Sequence, residues 1–258
     1  MGYSLRVNRK QIPTDSSPDR NQQFLYISDL REQFQRRGMP VISVDTKKRE
    51  LVGNFKNPGA RWGSSAKFVN DHDFRSDATG IAIPHGVYDL SANHGHVTIG
   101  VSHDTTAFAV ASIATWWTEH GASTHRGARE LLLLGDTGGS NGYRHRAFKA
   151  ELQNQIADTF GIKVTVAHYP TGASKWNPIE HRLFSEISKN WAGEPLVSYA
   201  KILRFIRSTK TKTGLSVSAH LDRRKYLTGL APTPQQMSQL RIKTAETLPK
   251  WNYTISPH

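Results

Sequence analysis

Four consecutive leucines, Leu131–Leu134, run directly into Gly135-Asp136. An all-apolar run this short, stopped at once by glycine and a carboxylate, reads as a strand buried on both faces. Val41-Ile42-Ser43-Val44-Asp45 repeats the form: a short apolar strand ending in an acid. Helical periodicity surrounds these strands. Phe24, Ile27, Leu30 and Phe34 predict a helix over 22–37, stopped by Gly38. Asp104 is placed to cap a helix carrying Phe108, Ala111, Ala114 and Trp117, closed by Gly121. Phe148, Leu152, Ile156 and Phe160 mark another, stopped by Gly161. Strands alternating with helices give an α/β domain built on a mixed sheet.

The rest of the chain fits around this frame. Gly86–Ala92 and His96–Val101 flank the turn signal Asn93-His94-Gly95 and predict a β-hairpin. Ile162–Ala167 alternates as a strand, and a Pro/Gly loop follows at His168–Lys175. Asn177-Pro178 then opens a helix whose apolar stripe is Ile179, Leu183, Ile187 and Trp191. The expected organisation is a polar lead-in over 1–21, a core over 22–194 with an insertion at 47–84, and a basic extension over 195–258 that packs on the core. Within the extension, Tyr199–Ser208 reads as a helix and the remainder as β-like pieces.

Charge narrows the function. The chain holds 34 Lys+Arg against 21 Asp+Glu, a net +13. Residues 195–258 contribute eleven basic and two acidic side chains, 11 − 2 = +9 of that excess. Such a surface suits a polyanion, foremost nucleic acid. With no cysteine there is no disulfide framework, thiolate zinc site or cysteine nucleophile. No apolar run spans a bilayer and no signal-peptide pattern opens the chain, so a soluble protein of the cytoplasm and nucleoid is expected, with no membrane partner and no small-molecule cofactor.

Three acids stand where chemistry is done in α/β folds. Asp45 and Asp136 end strands, and Glu180 lies in the first turn of a helix; strand C-termini and helix N-termini share one sheet edge. Each alone has an ordinary explanation. Asp45 suits a turn, Asp136 an Asx-turn in Gly-Asp-Thr-Gly-Gly, and Glu180 complements a helix dipole. Brought together, they would repel unless a divalent cation neutralised them, and hard oxygen donors select Mg²⁺ or Mn²⁺. Two such ions serve phosphodiester chemistry. Gly135–Gly142 lacks the Gly-Lys-Ser/Thr ending of a nucleotide P-loop. His94, His96 and His103 with Asp104 show no familiar zinc-ligand spacing, and hairpin positions explain them. Among the tryptophans, Trp191 reads as core, whereas Trp62 and Trp176 are free to stack on bases, Trp176 the better placed.

The run Ser174-Lys175-Trp176-Asn177-Pro178-Ile179-Glu180-His181-Arg182-Leu183-Phe184 resembles the last-acid motif of bacterial insertion-sequence DDE transposases, whose Asn-Pro-Ile-Glu is shared with the mariner branch. VISVDTKK at 41–48 and LLLLGDTGGSNG at 131–142 resemble the strands of that family's first and second acids. The resemblance covers residue 22 to the C-terminus. It implies an RNase H-like, integrase-type fold and two metal ions held by Asp45, Asp136 and Glu180. It also implies strand cleavage and transfer at transposon ends without a covalent protein–DNA intermediate. Partners would be transposon-end and target DNA, with a homodimer at synapsis. Candidate DNA contacts are Lys47, Lys48, Lys175, Trp176, Asn177, His181 and Arg182, with Lys201, Arg204, Arg207, Lys210 and Lys212 from the basic segment. Such transposases usually carry an N-terminal helix-turn-helix, and Met1–Asn21 shows none, so a catalytic portion without its end-recognition part is expected. Two alternatives stay open: an RNase H-like nuclease acting on RNA or hybrid, and a DNA-binding remnant.

Overall fold

The computed structural model describes residues 18–258; most of the polar lead-in, residues 1–17, lies outside the described residues. One mixed sheet organises everything else. Its central strands are β1 (Val41–Thr46), β3 (Gly80–Asp89), β4 (His94–Gly100), β5 (Glu130–Gly135) and β6 (Lys163–His168). The short β2 (Glu50–Val52) pairs with β3 off the main path. The C-terminal residues complete both edges: β7 (Ser216–Asp222) lies beside β4, while β8 (Ile242–Thr244) and β9 (Asn252–Ile255) lie beyond β6. The spatial order is β7-β4-β3-β1-β5-β6-β9-β8.

Register fixes where the acids fall. β1 runs parallel to β5, with Val41 opposite Leu132 and Ser43 opposite Leu134, and β5 runs parallel to β6. The C-terminal ends of β1 and β5, which carry Asp45 and Asp136, therefore emerge on the same edge of the sheet. β3 and β4 form the antiparallel hairpin, longer than its sequence pattern indicates, with Asp45 opposite Gly86 and Val87 opposite His96.

Helices cover both faces. Leu131 and Leu133 pack beneath α2 (Thr106–Trp116) and α4 (Arg146–Leu152), in a core with Ile42, Val44, Ile113, Trp116 and Phe148. Leu132 and Leu134 point the other way, toward Ile27 and Phe34 of α1 (Arg20–Arg36). All four leucines are fully buried; at roughly 1.5–3 kcal/mol each, β5 is a major hydrophobic contribution. Over β3 and β4 on that same second face lie α5 (Ser185–Asn190) and α6 (Tyr199–Arg207), whose cluster includes Val97, Ile99, Leu183, Trp191 and Ile202.

Several helices are not uniformly α. α2 passes into a π turn at Trp117–Gly121 and a last short turn, α3 (Ala122–Thr124). α4 passes into a π turn at Gln153–Asp158 and ends before Gly161, at φ +64°. The cap of α2 falls one residue after the predicted Asp104. Thr105 accepts the Phe108 N–H at 3.2 Å, and Asp104 instead accepts from Thr46 Oγ1. A single short helix, α7 (Pro234–Ser238), follows β7. Among the described residues no helix is long and apolar enough to cross a membrane.

Candidate active site

Glu180 arrives on a helix that packs unusually close to the sheet. Pro178 and Ile179 start it, Glu180–Phe184 form a π turn, and α5 continues from Ser185. Below it, β3 presents Gly86 directly opposite Asp45. A Cβ on Gly86 would stand 2.7 Å from Phe184 and 2.8 Å from Ile179. On β4, a Cβ on Gly95 would meet Leu183 at 2.4 Å. These two glycines let the helix settle against the hairpin and carry Glu180 to the end of β1.

The three predicted acids meet there. The Asp45 and Glu180 carboxyls are joined by a hydrogen bond, and both feel the charge of Asp136. Burial, reinforced by Asp136 and Glu180, pushes the Asp45 carboxyl up to about 8, against the Thr46 N–H that donates to its Oδ1 at 2.7 Å. Burial raises Glu180 as well, opposed by the hydrogen bond from Asp45 and by the charges of Lys47 and His181. Asp45 thus carries the proton of the pair. Among the described residues none of the three acids has an ion-pair partner within 4 Å; the nearby Lys47 is paired with Glu50 at 3.1 Å and lies over the Trp191 ring. This is an uncompensated carboxylate cluster, the environment a hard divalent cation relieves.

A polar frame holds it. Asn177, fully buried, donates from Nδ2 to Asp136 Oδ1 at 3.0 Å and accepts from the Ser43 hydroxyl, whose oxygen accepts the Ile179 N–H at 3.1 Å. The Asn177 carbonyl accepts the Glu180 N–H at 3.1 Å. One asparagine therefore ties β1, the end of β5 and the Glu180 helix together. This corrects its place among the DNA contacts: a side chain wholly inside the protein cannot reach DNA. His168, also buried, donates from Nδ1 to the Asp136 carbonyl at 2.9 Å. Burial holds its ring down at about 4, and therefore neutral. Ser43, Asn177 and His168 escaped the sequence reading as parts of one frame. The available signals were the lone hydroxyl inside Val-Ile-Ser-Val and an asparagine ahead of proline.

The other candidate DNA contacts divide. Lys48, Lys175, His181 and Arg182 are exposed, and Trp176 is 56 % exposed with its edge against Phe24. His181 also touches the Lys175 carbonyl. Lys175, Trp176, His181 and Arg182 lie on the segment that carries Glu180. Trp191 is buried, as its place on the apolar stripe indicates, and Trp62 stands fully in solvent. Lys201, Arg204, Arg207, Lys210 and Lys212 belong to another region. α6 packs against β7, three strands from β1, or about 14 Å at ordinary strand spacing. Lys201 is paired with the buried Glu194 at 3.0 Å, and Arg207 donates twice to the Ala219 carbonyl, so both have internal work; Arg204, Lys210 and Lys212 are exposed.

The model of the Rhodopirellula transposase DDE domain matches residues 1–257. The chain belongs to this transposase DDE-domain family. The fold agrees with it. The Mos1 transposase paired-end complex with left transposon end is similar at 14 % identity and a TM-score of 0.51, over 80 % of this chain and 58 % of that one. The mariner Mos1 paired-end complex with Mg is similar at 13 % identity and a TM-score of 0.50, with the same coverage. These likenesses place the DDE domain in the RNase H-like fold. It spans 58 % of the length of those chains. No curated protein matches it.

Proposed function

We propose that this DDE domain cleaves DNA at transposon ends and transfers the freed strand to target DNA, with Asp45, Asp136 and Glu180 holding two Mg²⁺ or Mn²⁺ ions. The observation that carries the reading is the convergence of three carboxylates from β1, the end of β5 and the π-turned helix, with no ion-pair partner among the described residues. The donor set is all oxygen and suits a hard cation. Bound there, the ions supply neutralisation of the phosphodiester and a more acidic attacking hydroxyl.

The protein's part is placement. Asn177 and the Asp136 backbone partner His168 fix the second acid, and Ser43 fixes the start of the Glu180 helix. The exposed Lys48, Lys175, His181 and Arg182 are assigned as phosphate contacts and the exposed Trp176 as a stacking face. Attack by water releases a 3′-hydroxyl, and attack by that hydroxyl on a target phosphorus joins the strands, with the displaced oxygen leaving each time. We place Arg204, Lys210 and Lys212 on flanking DNA, and the second end in the hands of a second copy of the chain at synapsis. Acting on chromosomal DNA, the protein would work at the nucleoid.

The test is incubation with labelled duplexes bearing the inverted repeats that flank the gene, in Mg²⁺ or Mn²⁺, alongside an RNA–DNA hybrid. Nicked and joined DNA is expected, lost in Asp45→Ala, Asp136→Ala and Glu180→Ala while circular dichroism is unchanged. Hybrid degradation without any joined DNA, or joining that persists in all three variants, overturns the reading.

A further inference from the structure

On the face of β4 opposite the one where Gly95 meets Leu183 lies a second polar cluster. His94 and His96 project from the start of that strand, and Glu119 and His120 come down on them from the π turn that prolongs α2. Donor atoms of His96, Glu119 and His120 all lie within 4.8 Å of one another. Glu119 Oε2 is 3.8 Å from His96 Nδ1 and 3.8 Å from His120 Nε2. The His94 and His120 rings are 4.5 Å apart. Tetrahedral zinc with N and O ligands at about 2.0–2.1 Å places neighbouring donors about 3.4 Å apart, so this set needs only a slight contraction.

His96 supplies an independent observation. Its ring is completely buried: Nδ1 is the nitrogen 3.8 Å from Glu119 and lies 2.9 Å from Ser218 Oγ on β7, while Nε2 has no partner among the described residues. A buried polar atom is ordinarily satisfied, and an orphan asks for a missing partner. Three imidazoles, of His94, His96 and His120, with the Glu119 carboxylate offer borderline nitrogen donors, which favour Zn²⁺-class ions over Mg²⁺.

We propose that His96, Glu119 and His120 bind one zinc-class divalent transition-metal ion, with His94 the nearest fourth donor, in a structural site that pins the end of α2 to the sheet. It is separate from the carboxylate trio in both position and ligand chemistry. The π turn contributes by setting Glu119 and His120, adjacent in sequence, against one strand.

Untagged protein, stripped with chelator, is titrated with Zn²⁺ by calorimetry in millimolar Mg²⁺, and with Co²⁺ by visible absorption. One Zn²⁺ equivalent is expected, with a Co²⁺ band of tetrahedral intensity and a rise in melting temperature on Zn²⁺ addition. All three should persist in Asp136→Asn, and Zn²⁺ affinity should fall at least about tenfold in His120→Gln and Glu119→Gln. Both replaced side chains are partly solvent-exposed, so folding should survive. Zinc binding that is unchanged in His120→Gln and Glu119→Gln, or that disappears in Asp136→Asn, or is absent from the parent protein, overturns the site.

Discussion

The carboxylate trio and the histidine cluster are built from opposite materials on one sheet. The trio gathers three acids from segments 91 and 44 residues apart (136 − 45 and 180 − 136) and leaves Asp45 protonated to limit their repulsion. The histidine cluster gathers imidazoles, and burial holds the His94 and His96 rings down and neutral, so these two meet with little electrostatic cost. The first is a strained arrangement that a hard cation would relieve; the second is a relaxed one with an unpartnered nitrogen. The sharpest way to break the comparison is Asp136→Ala. It should bring strand cleavage and joining to the level of a no-enzyme control and leave Zn²⁺ binding at the histidines unaltered. Parallel gel assays and zinc calorimetry on the same preparation check this. Joint loss would mean the two regions are one coupled unit.

A smaller effect should come from the frame around the acids. Asn177→Ala removes the bond to Asp136 and the anchor for Ser43 without touching a proposed metal donor. Supporting partners of this kind are typically worth 10–100-fold in activity or metal affinity, so cleavage should fall by about that factor with a rise in the Mg²⁺ concentration needed for half-maximal rate. Asn177→Asp offers the control, keeping the shape while adding a fourth carboxylate. It should be at least as harmful as Asn177→Ala; a milder effect would count against the carboxylate-repulsion account.

The glycines give a prediction within the sheet itself. Gly86→Ala sets a methyl against Phe184 and Ile179 and should cost about 1–3 kcal/mol, the usual overpacking penalty. Gly135→Ala, with nothing nearer than 3.7 Å, should cost less. Urea denaturation of the two variants tests the order. Phe184→Leu placed on Gly86→Ala should recover part of the loss, because it withdraws the ring that the methyl meets.

How far the sequence alone reaches is clear from these same residues. Asp45, Asp136 and Glu180 were legible because apolar strands and a proline-led helix announce their own ends, and parallel strands send those ends to one edge. The meeting of His96 with Glu119 and His120 was not. His94-Gly-His96 alternates like any hairpin strand, and the π turn that brings Glu119 and His120 onto it shifts the helical phase in a way no apolar stripe reports. Asn177 reads as a helix start and is one, yet its side chain serves the sheet and not the helix. The basic residues after 195 were read as one charged block. Pairing divides them, since β7 goes to one edge and β8 and β9 to the other.

A further effect separates the regions by acid. His85, opposite Thr46 in the β1–β3 register, is buried, with Asn141 as its polar neighbour, and burial lowers its ring to about 4. An unfolded histidine titrates near 6.5, so below that pH the unfolded chain takes up the proton first. The contribution of His85 is therefore fully present above about pH 6.5 and is lost as pH falls toward about 4. Metal-free protein should lose up to about 3 kcal/mol across this window from His85, at about 1.36 kcal/mol per pKa unit. His85→Gln should flatten the slope in a urea-midpoint series between pH 7 and 4. An unchanged slope would assign the acid sensitivity to the other buried rings, and Zn²⁺ would then test the portion that belongs to His96, because a metal-bound imidazole resists protonation.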